Sequence, residues 1–109
     1  MNDLLINEKN AIVFTLSQIM KADGIIHPKE EEYMNQVYRD LNITIDDLSN
    51  VANIDEIRAK QIIIGMEPEK REFAKKLFVN MAECDGYVHP REKEIIEQTF
   101  KWYDIVIWA

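Results

Sequence analysis

The sequence predicts an all-α fold: a compact single-domain bundle of six or seven helices that spans residues 1–109. A chain of 109 residues, with 47% hydrophobic and 30% charged residues, has the size and balance of one globular domain. It contains only 3 Gly and 3 Pro, which are too few for the many turns of a β-sandwich or barrel. Each Gly shortly precedes a Pro, as expected where one helix ends and the next begins. The three pairs are Gly24 and Pro28, Gly65 and Pro68, and Gly86 and Pro90.

The first half of the chain is predicted to form three helices, because its apolar residues recur with helical spacing. The first runs from about Asn7 to Ala22, and the second from Pro28 to about Asp40. Thr44, followed three residues later by Asp47, predicts a capping box at the start of a short helix that continues through Val51. The residues predicted to face the core from the first two helices are Ile12, Val13, Leu16, Ile19, Met20, Tyr33, Met34, Val37, Tyr38 and Leu41.

The second half is predicted to form three more helices. Asp55 is expected to cap a fourth helix that ends at Gly65. The run at residues 62–64 is β-branched and would also suit a strand, but no second strand is available to pair with it, so a helix is favoured. The fifth helix runs from Pro68 to about Cys84, and the sixth begins at Pro90 and continues toward Trp102. The residues predicted to face the core from the fifth helix are Phe73, Leu77, Phe78 and Met81.

The sequence also contains an internal repeat, in which residues 23–32 match residues 85–94. Six positions are identical in the two copies: Asp, Gly, His, Pro and two Glu, and Ile/Val and Lys/Arg are close replacements. All of these positions are separated by the same number of residues, which is the separation of Asp23 from Asp85. We call this separation the repeat offset. Each copy follows one predicted helix and opens another. The repeat therefore predicts two helical hairpins that face each other about a pseudo-two-fold axis, with both Asp-Gly turns on the same side of the molecule.

The repeated turn has a purely structural interpretation. Its glycine would end one helix in a left-handed conformation, and its histidine would occupy the N-cap of the next helix. Glu30 and Glu92 would then lie at the third helical position, where a carboxylate accepts a hydrogen bond from the backbone N–H of the cap. In this interpretation only the two aspartates have no assigned role.

The other interpretation is a divalent-cation site. Each turn resembles the second half of an EF-hand loop, but the first two ligand positions hold Ile19 and Lys21 in one copy, and Met81 and Glu83 in the other, so a true EF-hand is disfavoured. If the hairpins face each other, their carboxylates converge and repel one another unless a divalent cation or a basic partner neutralises them. The predicted metal site comprises Asp23, Glu30, Asp85 and Glu92, with His27 and His89 at its rim.

Two Asp-Gly-x-Ile/Val-x-Pro-x-Glu turns in an acidic helical chain of this length resemble the TerB (tellurite resistance) family, which includes the N-terminal domain of DjlA-type co-chaperones. The resemblance covers roughly Ile12 to Trp102. It implies a compact α fold with internal pseudo-symmetry, a divalent-metal site at the four acidic positions given above, and a role in stress or metal resistance near membrane partners. The family more often has Ser, Thr or Asp before the proline, whereas this chain has His twice.

Composition narrows the function further. The formal net charge of −7 disfavours binding to nucleic acid or to an anionic membrane surface. No apolar run reaches the ~20 residues of a membrane span, and a single cysteine, Cys84, fits a reducing cytoplasmic compartment. No Ser-His-Asp, Cys-His or His-Glu-x-x-His arrangement and no glycine-rich phosphate loop is present, so we expect a protein that is not an enzyme.

Two function classes stay open: a small divalent-metal-binding protein of the stress-resistance type, and a helical protein–protein interaction domain, adaptor- or co-chaperone-like, with no metal site. A protein partner is expected in either case and could be membrane-associated. The C-terminal aromatic and apolar residues either close the core or form a partner surface, which could include a homodimer contact. They are Trp102, Tyr103, Ile107 and Trp108. The residues expected to be buried for packing alone are Cys84, Met20, Met34, Met66 and Met81.

Overall fold

The structure, a computed structural model, describes residues 4–22, 24, 27–51, 54–84, 86 and 88–100. These residues contain six helices. No strand occurs within these residues, so the predicted all-α single domain is confirmed. None of the six helices has both the length and the apolar character needed to cross a membrane. The helices are α1 Ile6–Lys21, α2 Pro28–Asp40, α3 Ile45–Val51, α4 Glu56–Ile64, α5 Pro68–Glu83 and α6 Pro90–Phe100.

The α1 helix is the centre of the bundle and packs against each of the other five helices. Its buried residues surround more of the helix than a single stripe would, as expected for a helix with neighbours on several sides. Phe78 of α5 and Phe100 of α6 meet in the same core, with their ring centroids 5.9 Å apart. The fully buried apolar residues of α1 are Ala11, Ile12, Val13, Leu16 and Ile19.

The N-termini of α3 and α4 are capped by side-chain hydrogen bonds, as the sequence predicts. The Thr44 N–H donates to Oδ2 of Asp47 at 2.9 Å, and the Asp47 N–H donates to Oγ1 of Thr44 at 3.1 Å, which completes the capping box. The Arg58 N–H donates to Oδ1 of Asp55 at 2.7 Å at the start of α4. The run at residues 62–64 is helical, so the helix assignment was right.

The α2 helix ends in a left-handed turn. Asn42 has a φ of 59°, and the Ile43 N–H donates to the Tyr38 carbonyl at 2.8 Å, five residues back. This is the Schellman arrangement, which satisfies a terminal carbonyl and reverses the chain. Ile43 and Leu48 then pack against the core, and α3 lies on α1.

The helix bounds of the two halves keep the offset of the repeated turns. The α5 helix begins at 68 and ends at 83, and each of these bounds follows the corresponding bound of α1 at the repeat offset. The first residue of α6 follows that of α2 at the same offset. Seven pairs of buried positions are related in this way. The pairs are Leu4 and Met66, Ile12 and Ala74, Leu16 and Phe78, Ile19 and Met81, Glu30 and Glu92, Met34 and Ile96, and Val37 and Thr99.

Several predicted core residues are less buried than expected. On α5 the buried stripe runs through Ala74, Phe78 and Met81, so Phe73 and Leu77 flank it and are only half-buried. Ile57, in the first turn of α4, does not belong to that predicted set and is 71% exposed. The other half-buried members of the predicted set are Met20, Tyr33, Tyr38 and Cys84.

Candidate functional site

The two repeated turns share one backbone conformation. Gly24 has a φ of 79° and Gly86 a φ of 87°, so both adopt the left-handed region that favours glycine. Their N–H groups donate to the carbonyls of Lys21 and Glu83 at 3.0 and 2.9 Å. Both glycines therefore end a helix as predicted, whereas Gly65 ends α4 with a φ of −82° and needs no special freedom.

Glu30 and Glu92 serve as helix caps. Oε1 of Glu30 accepts from the His27 N–H at 3.2 Å, and Oε1 of Glu92 accepts from the His89 N–H at 2.9 Å. Both side chains are buried, at 2% and 3% exposure, although they carry carboxylates. A buried carboxylate at this position is stabilised by the cap N–H and by the positive end of the helix dipole. This part of the structural interpretation is confirmed.

The two histidines occupy the N-caps of α2 and α6. His27 has extended backbone angles, φ −86° and ψ 144°, as an N-cap residue should. Nδ1 of His89 accepts a hydrogen bond from the Arg91 N–H at 3.1 Å, so the imidazole takes the place of the Ser or Asp oxygen more usual at a cap. The ring of His89 therefore has a structural contact that explains a histidine at this position.

The described residues do not assemble the predicted metal site. Asp23 and Asp85 lie outside them, so the distance between the two aspartates and the placement of both turns on one side stay predictions. Within the described ranges, no three His, Cys, Asp or Glu side chains come together as a group that could hold a metal ion. Glu30 and Glu92 each have one carboxylate oxygen engaged in a cap.

An ion pair links the two halves at the repeat offset. Nζ of Lys70 lies 3.0 Å from Oε1 of Glu8, and the two residues are 62 positions apart. The side chains are only 14% and 11% exposed. Glu8 also caps α1, because its Oε1 accepts from the Leu5 N–H at 2.8 Å. Sequence reasoning missed this pair, since the repeat was recognised only in the turns and not in the helices before them.

A groove of about 510 Å³ runs along the outer face of α5. We call it the α5 groove. Its floor has the half-buried side chains of Phe73 and Val79, and its rims are charged. Sequence reasoning placed Phe73 in the core, and its spacing relative to Ala74 and Phe78 was the signal that it lies to one side. The residues that define the groove are Glu69, Glu72, Phe73, Lys75, Lys76, Val79 and Asn80.

Tyr33 of α2 forms a side-chain hydrogen bond with Asn80, a residue of the α5 groove. Burial raises the pKa of its hydroxyl above the ordinary value, the hydrogen bond with the Asn80 side chain opposes that rise, and Cys84 and Asp40 add to it. Tyr33 and Cys84 also line a small recess beside Glu32. The phenol stays neutral at physiological pH, so its contact with Asn80 positions α2 against α5 rather than supplying a charge.

Comparison with protein-family models, curated proteins and solved structures finds no match. Function is therefore inferred from the residues and geometry of this chain.

Proposed function

We propose that this chain is a non-enzymatic helical interaction domain that binds a protein partner in the α5 groove. The observation that supports this proposal is the composition of the groove: the apolar floor of Phe73 and Val79 lies between acidic Glu72 and basic Lys76. A floor of this kind suits an apolar side chain, and the mixed rim suits the charged flanks of an amphipathic helix. The repeated turns then act as rigid joints that hold α5 in place.

Photo-crosslinking tests this function. A photoreactive amino acid replaces Lys76 in the full chain, and crosslinking is carried out in the cells that produce the protein. We expect one discrete crosslinked species that is lost when Val79→Asp is added. Asn35, exposed on α2, takes the same photoreactive residue as a control. A species obtained equally from both positions, or one that persists with Val79→Asp, contradicts partner binding in the groove.

A divalent-cation site at the Asp-Gly turns is the second candidate. It is favoured by the shared left-handed glycine and buried third-position carboxylate of the two turns, since a ligand that suits one turn would suit both. In this proposal the ligands are the carboxylates of Asp23, Glu30, Asp85 and Glu92, with His27 and His89 at the rim of the site. Oxygen-rich ligands of this type suit Ca²⁺ or Mn²⁺, and added imidazoles would shift the preference toward Zn²⁺.

Calorimetry and thermal melting with Ca²⁺, Mn²⁺ and Zn²⁺ test this site. A cation at ~100-fold excess over its Kd stabilises the folded state by about 2.7 kcal/mol. Asp23→Asn together with Asp85→Asn should abolish that shift and leave the metal-free protein at least as stable. If the parent's melting temperature does not respond to any of the three cations, the metal site is refuted and only the proposal of an interaction domain is retained.

Membership of a TerB-like family, a role in stress or tellurite resistance and a cytoplasmic location are part of the same proposal. They are supported by the paired turns and by the single cysteine in the sequence. Survival of a deletion strain on tellurite, with and without the restored chain, tests the resistance role directly.

A further inference from the structure

The α5 groove carries its charges in a definite order along one face of the helix. Glu69, Phe73 and Lys76 follow one another at helical spacing, so they form a single stripe along α5. Glu72 lies next to the acidic end of this stripe, and Lys75 lies next to its basic end. One turn of the groove is therefore acidic and the next is basic, with the half-buried ring of Phe73 between them.

Two of these charges are available to a partner. Nζ of Lys75 lies 3.2 Å from Oε2 of Glu72, so those two side chains pair within the chain. Glu69 and Lys76 are both exposed, and neither forms an ion pair with another described residue. The helical rise separates them by about 10.5 Å along α5, with Phe73 close to the midpoint. A complementary partner would present a basic group at Glu69 and an acidic group at Lys76.

The α5 helix of a second copy meets this requirement when the two helices are antiparallel. Antiparallel packing reverses the order of the charges, so Glu69 of each copy lies level with Lys76 of the other. A parallel arrangement would oppose like charges, which repel. The two-fold axis of the antiparallel pair passes close to Phe73, and each charge pair lies about 5 Å from that axis along the helix. Phe73 would contact its own copy there, and two aromatic rings are compatible with such a contact.

The apolar surface around Phe73 extends beyond the groove. Its ring also borders a second recess, of about 330 Å³, between α2 and α5. Val37, Leu41 and Leu77 line this recess together with Asp40. A contact centred on Phe73 would therefore bury apolar side chains of both helices, which supplies a driving force that two exposed charge pairs alone lack.

We propose that the occupant of the α5 groove is α5 of a second copy of this chain, packed antiparallel about a two-fold axis at Phe73. The pairing joins Glu69 of each copy to Lys76 of the other and brings the two Phe73 rings together. Each copy carries a formal net charge of −7, so two copies repel at long range, and the basic turn of the groove counters that repulsion locally. The inference names the partner of the interaction domain proposed above and rests on that function.

Sedimentation velocity of the purified full chain tests the pairing by charge reversal. We expect the mass of the parent to rise from one chain toward two as the concentration increases. Glu69→Lys and Lys76→Glu each oppose like charges twice in a symmetric pair, so each should weaken association about tenfold or more. An equimolar mixture of the two variants restores both opposite-charge pairs in a heterodimer and should associate as strongly as the parent. Glu31→Lys, the same reversal in the exposed first turn of α2, is the matched control and should associate like the parent.

Three results of this experiment overturn the proposal. The first is a parent chain that stays monomeric up to about 1 mM. The second is association that neither charge reversal weakens. The third is a mixture that associates no more strongly than either variant alone, and this comparison remains decisive if one reversal lowers the stability of its own chain.

A cysteine at the proposed axis provides an independent measurement. In a Cys84→Ser background, which removes the single native thiol, Phe73→Cys should give several-fold more disulfide-linked dimer under mild oxidation than Asn35→Cys on exposed α2. Only a residue at the axis lies against its own copy, so equal yields overturn the two-fold contact at Phe73. Both measurements use the purified chain alone. A monomeric chain that still gives the discrete crosslinked species from position 76 in cells would retain the interaction domain with a different partner.

Discussion

Replacing Glu92 separates a helix cap from a metal ligand. Glu92→Ala leaves the His89 N–H without the acceptor that lies 2.9 Å away, and it also removes a carboxylate from the positive end of α6. A hydrogen bond to a charged acceptor contributes about 1.5 kcal/mol, and the dipole interaction about 0.5 kcal/mol. Glu92→Gln keeps an oxygen acceptor at the third helical position and loses only the charge. We therefore expect the free energy of unfolding to fall by about 2 kcal/mol for Ala and about 0.5 kcal/mol for Gln.

Thermal melting followed by circular dichroism measures the difference. At about 4 °C per kcal/mol for a domain of this size, the melting temperature should fall by about 8 °C for Glu92→Ala and about 2 °C for Glu92→Gln. Glu94→Ala, on the exposed side of the same helix, is the control and should change stability by no more than about 0.5 kcal/mol. Shifts that are the same in EDTA and in Mn²⁺ indicate that Glu92 is a cap alone, whereas a larger loss in Mn²⁺ indicates that it is also a cation ligand. Equal losses for Gln and Ala would show that the charge, rather than the cap acceptor, is what Glu92 contributes, and would refute this reasoning.

Three other features of the described residues allow predictions. Lys70→Met leaves the mostly buried carboxylate of Glu8 without its cation and should lower the free energy of unfolding in urea by about 3 kcal/mol. Adding Glu8→Gln should recover most of that loss, and a double variant no more stable than the single one would contradict this. Gly24→Ala and Gly86→Ala should each cost about 1 kcal/mol, because an added Cβ meets nothing within 4 Å and only the left-handed conformation is penalised; unequal costs would show that the two turns differ. The backbone hydrogen bond that Asp47 accepts lowers the pKa of its carboxyl below the ordinary value of 3.8. The contribution of Asp47 to folding stability is therefore complete above pH 3.8 and is lost as the pH falls through the lower folded-state pKa. The difference in unfolding free energy between the parent and Asp47→Asn, measured by urea titration, should shrink on acidification.

The helices could be predicted because their ends are determined locally. Capping residues such as Asp55 and the Thr44–Asp47 pair act within four residues of sequence, so no tertiary information is needed to place them. The partial exposure of Phe73 could not be predicted in the same way. Whether an apolar residue beside the main stripe is covered depends on which other helix lies there, and α1 has a neighbour on each side whereas α5 does not.

The candidate site was predicted in part. The capping role of Glu30 and Glu92 follows from their spacing relative to the histidines, and the structure confirms it. The convergence of the four carboxylates depends on how two distant turns are arranged in space, which spacing alone does not determine. The α5 groove was missed for a related reason: no residue in it has a distinctive type, and it is defined by the absence of a covering helix among the described elements.

The contact between Glu8 and Lys70 bears on how such a chain could arise. In a dimer of two identical half-chains, a residue that lies near the two-fold axis contacts its own copy in the other half-chain. Glutamate would then oppose glutamate, or lysine would oppose lysine, and the like charges would repel at a site only 11–14% exposed. Fusion of the halves into one polypeptide removes this restriction, because each copy can then diverge independently. An oppositely charged pair at equivalent positions is therefore an arrangement open to a duplicated single chain and closed to a symmetric homodimer.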